Sequence, residues 1–250
     1  MIWRLTEDPS LFPDPRQGEE DGLIAVGGDL SPERLIAAYN NGIFPWYGFR
    51  ENEDILWWCP MKRFVIFPKE IHISHSMRQL LKKGRYLVSI NQAFDQVIEH
   101  CSTVAQRNEQ RGAWLGDDMK QAYKRLFDMG LAASIEVWDT EKRTPDDPYA
   151  PGALVGGLYG VNIGCNFFGE SMFSLVPSAS KIALIFLANQ LEDMGGIIDC
   201  QFETAHLKSM GGRYISYDEY MDILIGSQEK DIIAQAYLPD GIREYNDCMA

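Results

Sequence analysis

Three strand-like segments that follow one another without a helix between them constrain the fold of this 250-residue chain most strongly. They cover residues 131–138, 154–163 and 166–168, and they are rich in apolar, aromatic and β-branched residues. The polar segment 139–153, which carries three prolines, is predicted to be a long loop that joins the first two as a hairpin. Strands connected in this way pair antiparallel, so the second half is predicted to contain an antiparallel sheet.

Helix and strand patterns alternate around this sheet from about residue 63 onward. Further strands are predicted over residues 64–67, 86–90 and 197–201. Helices on a mostly antiparallel sheet define an α+β fold. The predicted helices cover residues 76–83, 92–101 (capped by Asn91), 117–129, 182–194 (capped by Ser178 or Ser180) and 217–225.

The first sixty residues differ from the rest because turn formers and aromatic residues dominate them, as in the segment 42–47. One short helix is predicted there, with Ser31 as its N-cap and Pro32 in its first turn. We therefore expect a small N-terminal α/β module, residues 1–62, followed by a larger domain, residues 63–250.

Charge is distributed unevenly along the chain. The formal net charge is −13, yet the stretch from Met61 to Arg125 contains twelve Lys or Arg and six Asp or Glu. That stretch therefore carries +6 and the remainder −19. Such a distribution opposes broad coating by nucleic acid and leaves two alternatives for the basic region, a local contact with phosphates or a solvated face.

Metal, disulfide and cofactor motifs are missing from the sequence. The five cysteines are scattered, and the four histidines lack zinc-ligand spacing, so free thiols and no metal site are expected. The phosphate-binding loop, the Gly-x-Ser-x-Gly turn and the His-Glu-x-x-His motif do not occur. The first residues turn acidic early, and no apolar run approaches the ~20 residues of a membrane span, so a cytoplasmic protein is expected.

Three polar residues stand where the pattern predicts burial or a cleft. Asp199 and Gln201 lie two apart in a β-pattern after the apolar pair Ile197-Ile198, so both side chains are expected on one face. A buried carboxylate and amide must be hydrogen-bonded, either as a structural pair or within a site that uses them. Glu170 follows Gly169 at the end of an aromatic strand and is either a helix-cap partner or a group reaching into a cleft.

Aromatic residues form a further group of candidates. Each of them, taken alone, is more often a core residue. Together with Met172 they can line an apolar pocket for a hydrophobic side chain or stack on a base. The residues are Trp46, Trp57, Trp58, Trp114, Phe167 and Phe173.

Several blocks that contain these candidates resemble the leucyl/phenylalanyl-tRNA–protein transferase family, in the family's order from about residue 11 to residue 212. The blocks are GLIAVGGDL at 22–30, NGIFPW at 41–46, WWCP at 57–60, LVGGLYGV at 154–161, GESMFS at 169–174 with ASK at 179–181, and IDCQ at 198–201.

The resemblance implies both a fold and a reaction. The fold is a small N-terminal domain followed by a larger domain of the acetyltransferase-like (GNAT) type. The reaction moves Leu, Phe or, less well, Met from aminoacyl-tRNA to the α-amino group of a protein that begins with Arg or Lys, which marks that protein for N-end-rule degradation. The donor ester is already activated, so no cofactor is required, and positioning supplies much of the catalysis.

Catalytic roles follow as hypotheses from the resemblance. Asp199 would orient or deprotonate the acceptor amine, directly or through Gln201, or else bind the acceptor's cationic side chain. Gln201 could also donate to the developing oxyanion. Glu170 would hold the free α-amino group of the aminoacyl moiety.

Substrate-binding residues are implied in the same way. Leu158, Phe167, Met172 and Leu184 match the positions of the family's apolar side-chain pocket, and Ser171 and Phe173 belong to the same block. Trp46 and Trp114 match positions near the terminal adenosine. The basic cluster expected to contact acceptor-stem phosphates consists of Arg78, Lys82, Lys83 and Arg85.

Two other functions compete with this interpretation. An acetyl-CoA-dependent N-acetyltransferase would share the fold, but it predicts a Gln/Arg-x-x-Gly-x-Gly/Ala pyrophosphate loop, which the sequence lacks. A non-catalytic adaptor for N-terminal signals or tRNA would use the same residues only for binding.

Overall fold

The computed structural model describes residues 1–47, 54–107, 115–142, 151–228 and 241–244. These residues form two sheets with helices packed against them, which confirms the mixed α+β architecture with a distinct N-terminal module.

The first sheet has the strand order β1-β2-β4-β3, and all of its strands come from the first sixty residues. Helix α1, Pro32–Asn40, connects β2 to β3. As predicted, Ser31 is its N-cap and accepts a hydrogen bond from the backbone N–H of Arg34, and Pro32 opens the first turn. The strands are β1 (Trp3–Arg4), β2 (Leu23–Val26), β3 (Phe44–Tyr47) and β4 (Ile55–Trp58).

The second sheet has the strand order β11-β5-β10-β9-β8-β7-β6-β12. Its neighbouring strands pair antiparallel, except that β9 and β10 run parallel. The strands are β5 (Lys62–Ile66), β6 (Tyr86–Ile90), β7 (Ala132–Asp139), β8 (Ala153–Ile163), β9 (Asn166–Ser174), β10 (Ile198–Asp199), β11 (Arg213–Ser216) and β12 (Gly241–Glu244).

Helices cover both faces of this second sheet, and each face carries its own buried apolar cluster. Helix α5 is buried along almost its whole length on one face, whereas α3, α4, α7 and the N-terminal module lie on the other. The helices are α2 (His75–Leu81), α3 (Phe94–Arg107), α4 (Asp117–Asp128), α5 (Ala179–Leu191), α6 (Ala205–Ser209) and α7 (Tyr217–Gln228).

The start of α3 differs from the prediction that Asn91 caps it. Asn91 has φ 59°, and its side chain accepts a hydrogen bond from the backbone N–H of Ser134 instead. The backbone N–H groups of Gln92 and Ala93 point to the carboxylate of Glu136 on β7, each at 3.4 Å. A buried carboxylate from the neighbouring strand therefore satisfies the donors that a local cap would have served. Burial raises the pKa of this Glu136 carboxyl.

Two strands also differ from the sequence prediction. The strand predicted over residues 197–201 contains only Ile198 and Asp199, because Gln201 has a φ of 56°, which ends extended structure. The C-terminal residues from 240 onward carry no predicted structure, yet β12 pairs with β6 through four residues. The predicted hairpin of β7 and β8 is confirmed, although residues 143–150 of its loop lie outside the described residues.

No helix in the described part of the chain is both long and apolar enough to traverse a bilayer.

Candidate active site

The parallel strands β9 and β10 separate soon after they meet, and a cleft opens between them. Ile198 pairs with Phe167 and Asp199 with Phe168, and there the ladder ends. The next six residues of β9, 169–174, all border a cavity of about 700 Å³. Because side chains alternate across a strand, six consecutive lining residues mean that the cavity runs along the uncovered edge of β9.

A β-bulge in the middle of this edge changes the direction in which the side chains of β9 point. In the pairing of β8 with β9, Tyr159 is opposite Ser171 and Gly160 is opposite Gly169, so Glu170 is an extra residue without a partner. No side chain fits at Gly160, because a Cβ there would overlap the carbonyl oxygen of Phe168. The bulge explains how the Glu170 carboxylate reaches the cavity, and the helix-cap alternative for this residue is wrong.

Two tyrosines from different helices hold the Glu170 carboxylate. Tyr39 of α1 donates its hydroxyl to Oε1 and Tyr123 of α4 donates to Oε2, each at 2.7 Å. Burial raises the pKa of Glu170 to about 7, although the two hydrogen bonds act in the opposite direction. Glu170 can therefore exchange a proton near neutral pH, and a bound cation would stabilise its ionised form.

Asp199 faces away from the cavity. Its carboxylate is fully buried and lies 3.0 and 2.9 Å from Arg63 Nε, and it accepts hydrogen bonds from the Tyr220 hydroxyl at 2.8 Å and the Gln201 backbone N–H at 2.9 Å. Gln201 borders the cavity, but Asp199 does not. The prediction that both side chains share one face is wrong, because the positive φ of Gln201 breaks the strand alternation.

Arg63 of β5 connects this carboxylate to the N-terminal module. Its guanidinium lies between the rings of Phe44 and Tyr220, at 4.8 and 4.6 Å from their centroids. Nη2 donates to the carbonyl oxygen of Gly42 at 2.6 Å. Sequence reasoning missed Arg63, although a charged residue at the start of the apolar run Arg63-Phe64-Val65-Ile66 was an available signal.

The side-chain pocket residues named in the resemblance come together as the apolar part of the cavity. Leu187 of helix α5, which sequence reasoning missed, also borders it, together with Ile198 and Cys200 of the recognised block 198–201. The predicted residues that border the cavity here are Leu158, Phe167, Met172, Leu184, Phe173 and Ser171.

Aromatic rings form another part of the wall. Trp46 of β3 is stacked on Phe202, with ring centroids 5.6 Å apart and an interplanar angle of 30°. Phe44 and Trp58 contact the same Phe202 ring edge-on. Phe202 was missed because it follows Gln201 in a segment without periodicity, and the predicted Trp114 lies outside the described residues.

A polar end completes the cavity near the start of α5. Ser174, Ser180, Thr204 and His206 border it, and the Ser180 backbone N–H donates to Ser174 Oγ at 2.8 Å. The Nε2 atom of His206 is buried and has no hydrogen-bond partner among the described residues. Burial and the nearby charge of Lys181 lower the pKa of His206.

The predicted basic cluster does not border the cavity. Lys82 and Lys83 are exposed at the end of α2, and Arg78 Nε donates to the carbonyl oxygen of Ile73 at 3.2 Å. Arg85 is engaged elsewhere, because its guanidinium donates to both carboxylate oxygens of Asp139 at 2.9 and 2.6 Å. Since Asp139 is a buried carboxylate at the end of β7, this pair neutralises the charge expected to meet phosphate.

Comparison with known proteins covers both the cleft and the N-terminal module. A model of the leucyl/phenylalanyl-tRNA protein transferase family matches residues 65–225, and the model of that family's N-terminal domain matches residues 28–61. The chain belongs to this family. The resemblance of the sequence blocks is thereby confirmed, and so is the prediction of a transferase.

Several relatives in the same family are similar over most of their length. Leucyl/phenylalanyl-tRNA–protein transferases of Nitrosomonas eutropha and Nitrosomonas europaea are 51% and 50% identical, covering 90% and 88% of this chain and the same shares of the relatives. The transferase of Syntrophus aciditrophicus is 46% identical over 86% of this chain and 84% of its own. The family match includes β9, the turn after β10 and α1, which supply Glu170, Gln201 and Tyr39.

Proposed function

We propose that this chain transfers Leu, Phe or, less well, Met from aminoacyl-tRNA to the α-amino group of a protein that begins with Arg or Lys. The observation that carries the proposal is one cavity bordered by an apolar wall, the bulged Glu170 carboxylate and the Gln201 amide. Donor and acceptor each bring an amino group, and the donor also brings an apolar side chain and an ester. In the cavity, the apolar wall suits the donor side chain, the Glu170 carboxylate suits the donor amino group, and the Gln201 amide suits the ester carbonyl.

The donor amino acid occupies the apolar part of the cavity, with its α-ammonium group on Glu170. Two tyrosine hydroxyls fix the carboxylate, so an approaching ammonium finds an oriented charge with little further ordering. Apolar walls discriminate a single methylene by only ~1–3 kcal/mol, which fits acceptance of several large apolar side chains. The preference for these donors is thus a consequence of shape and of one carboxylate.

The ester is cleaved by direct aminolysis. The acceptor nitrogen bonds to the aminoacyl carbonyl carbon, the bond to the ribose oxygen breaks, and a proton passes from nitrogen to that oxygen. The Gln201 side-chain Nε2 is buried without a protein hydrogen-bond partner in the described chain, and it donates to the developing oxyanion. Asp199 acts as a positioning residue, since its carboxylate holds the Gln201 backbone N–H and pairs with Arg63.

Two groups of residues contact the tRNA in this proposal. The terminal adenosine stacks on the aromatic wall with Trp46, and Trp114 remains a predicted contributor. Arg78, Lys82 and Lys83 meet acceptor-stem phosphates, whereas Arg85 supports the sheet through Asp139.

The finer assignments of fold and biology also belong to the proposal. We assign the sheet of β5–β12 to the acetyltransferase-like (GNAT) type, supported by the parallel strands that separate over the cavity, and divide the chain at residues 1–62 and 63–250. Acceptor proteins gain a residue that marks them for N-end-rule degradation. The reaction as proposed uses no cofactor, because the ester bond already stores the required free energy.

A labelling experiment tests the proposal. Incubation with Phe-tRNA carrying a ¹⁴C-labelled amino acid should label a protein that begins with Arg or Lys, and Leu-tRNA should behave similarly. The same protein beginning with Ala, or with its N-terminus acetylated, should stay unlabelled. Absence of label on the Arg protein, with an active control transferase, would refute the assignment.

Titration with acetyl-CoA distinguishes the proposed function from its nearest alternative, an N-acetyltransferase. Tight binding together with acetylation of the Arg protein would favour an acetyltransferase over an aminoacyltransferase. An adaptor would bind Phe-tRNA or the acceptor without forming a peptide bond, so product analysis by mass spectrometry distinguishes it.

A further inference from the structure

Aminolysis needs a group that accepts the proton of the attacking amine, and neither Asp199 nor Glu170 is free to do so. Asp199 is paired with Arg63 outside the cavity, and in the proposed function Glu170 holds the donor's ammonium group. The inference below rests on that proposed function and concerns the remaining base on the cavity wall.

His206 is fixed at the polar end of the cavity by its short helix. Thr204 caps α6 by accepting a hydrogen bond from the Leu207 backbone N–H at 3.2 Å, and Ser209 Oγ donates to the carbonyl oxygen of His206 at 2.6 Å. His206 borders the cavity, and its Nε2 is buried without a hydrogen-bond partner within the described chain. A buried nitrogen without a partner costs free energy unless a ligand uses it.

Charged groups around the ring favour its neutral form. Burial lowers the pKa of His206, and the positive charge of Lys181 of α5 adds to the effect. Glu170 is the titratable group of β9 on the same cavity wall. On the loop before α6, Glu203 is engaged by Lys208 at 2.9 Å. His206 is therefore the neutral imidazole of the cavity at physiological pH.

We propose that His206 carries the proton of the reaction, accepting it at Nε2 from the acceptor amine and returning it to the leaving ribose oxygen. The bond between the acceptor nitrogen and the carbonyl carbon forms first, which makes that nitrogen strongly acidic. Nε2 then takes the proton, with the other ring proton on Nδ1. As the carbon–oxygen bond breaks, the imidazolium protonates the ribose oxygen, so His206 ends unchanged and no co-reactant is needed.

Single-turnover kinetics of His206→Ala and His206→Gln test this role, with both substrates saturating. General acid–base catalysis contributes ~10²–10⁴-fold, so the rate constant should fall by at least about 100-fold while the dissociation constant for Phe-tRNA changes little. The part of the acidic limb of the pH–rate profile that belongs to His206 should disappear in both variants, whereas the part set by protonation of the acceptor α-amino group stays. Added imidazole should restore part of the rate of His206→Ala.

His72→Asn is the matched control, because His72 is exposed and outside the cavity, yet its backbone N–H bonds the carbonyl oxygen of Met210 just beyond α6. It should keep the wild-type rate and pH profile. Near-UV circular dichroism and Phe-tRNA affinity show whether the His206 variants are folded.

Two results would overturn the inference. A rate constant for His206→Gln within threefold of wild type would remove the proton-transfer role, and a loss confined to donor affinity would make His206 a binding residue. In both cases the wild-type chain would still label the Arg protein. A wild-type chain that labels nothing would instead refute the proposed function.

Discussion

Two carboxylates, one bordering the cleft and one behind its wall, interact electrostatically and have opposite surroundings. Glu170, on a bulge of β9, faces the cavity and is held by two neutral tyrosine hydroxyls at 2.7 Å. Asp199, at the end of β10, faces the interior and is held by the guanidinium of Arg63 at 2.9 Å. A neutral donor leaves the charge of a carboxylate uncompensated, whereas a buried guanidinium compensates it.

This difference assigns different work to the two residues. Glu170 can respond to a cationic ligand because its charge is not yet compensated. Asp199 can hold the turn at Gln201 because its charge is compensated permanently. Under the proposed function, Glu170 is a ligand-binding carboxylate and Asp199 a structural one, so the two should respond differently to substitution.

The largest expected effect is the loss of stability when the Asp199 pair is broken. Arg63→Met leaves a buried carboxylate without its partner, which should lower the free energy of unfolding by about 3–5 kcal/mol. The double variant Arg63→Met/Asp199→Leu should regain much of this loss. Guanidinium-induced unfolding followed by tryptophan fluorescence measures all three chains.

An exposed arginine provides the control for this comparison. Arg213 pairs with Glu70 at 3.3 Å on the surface, so Arg213→Met should cost no more than about 1 kcal/mol. A loss below 1 kcal/mol for Arg63→Met as well would contradict the view that Asp199 is fixed by its partner.

The second effect concerns the donor. Glu170→Gln keeps the size of the side chain but removes its charge, and loss of one partner of a desolvated charge pair costs about 2–5 kcal/mol. The value of kcat/KM for Phe-tRNA should therefore fall by at least about 30-fold. With wild-type protein, acetylation of the donor's α-amino group should lower kcat/KM by the same factor. With the Glu170→Gln variant, the same acetylation should change kcat/KM little. Equal losses on both proteins would show that Glu170 does not meet that amino group.

The sequence predicted much of this site because its chemistry resides in short blocks. The runs 169–174 and 198–201 were recognised, and the two helices that carry Tyr39 and Tyr123 were predicted. Their hydroxyl partners could not be foreseen, since the two helices are separated by more than seventy residues and meet only after folding.

Backbone irregularities explain the main error. A period of two predicts that Asp199 and Gln201 share a face, but Gln201 adopts a positive φ, a conformation that glutamine does not signal. The bulge at Glu170 is likewise not predictable from the sequence of β9, because it appears only in the pairing of β9 with β8. Sequence periodicity describes regular strands, and this site is built where two strands stop being regular.

The third prediction concerns how the stability of the protein depends on pH through Glu170. The pKa of Glu170 is raised to about 7, above the ordinary value of about 4.3, so between these values the folded protein binds more protons than the unfolded chain. The stabilisation is present at low pH and is lost as pH rises through about 7. The stability of wild type relative to Glu170→Gln should fall by about 2–2.5 kcal/mol between pH 5 and 7.5. A difference that is flat or rises with pH would contradict the assigned surroundings.

The smallest effect comes from removing one tyrosine donor. Tyr123→Phe deletes the hydrogen bond to Glu170 Oε2, which favours the ionised form, so the pKa of Glu170 should rise. The midpoint of the stability difference described above should move upward by about one pH unit. Tyr159→Phe is the control, because the Tyr159 hydroxyl is buried nearby without a hydrogen-bond partner in the described chain. If both variants moved the midpoint equally, packing around Glu170 and not hydrogen bonding would control its proton.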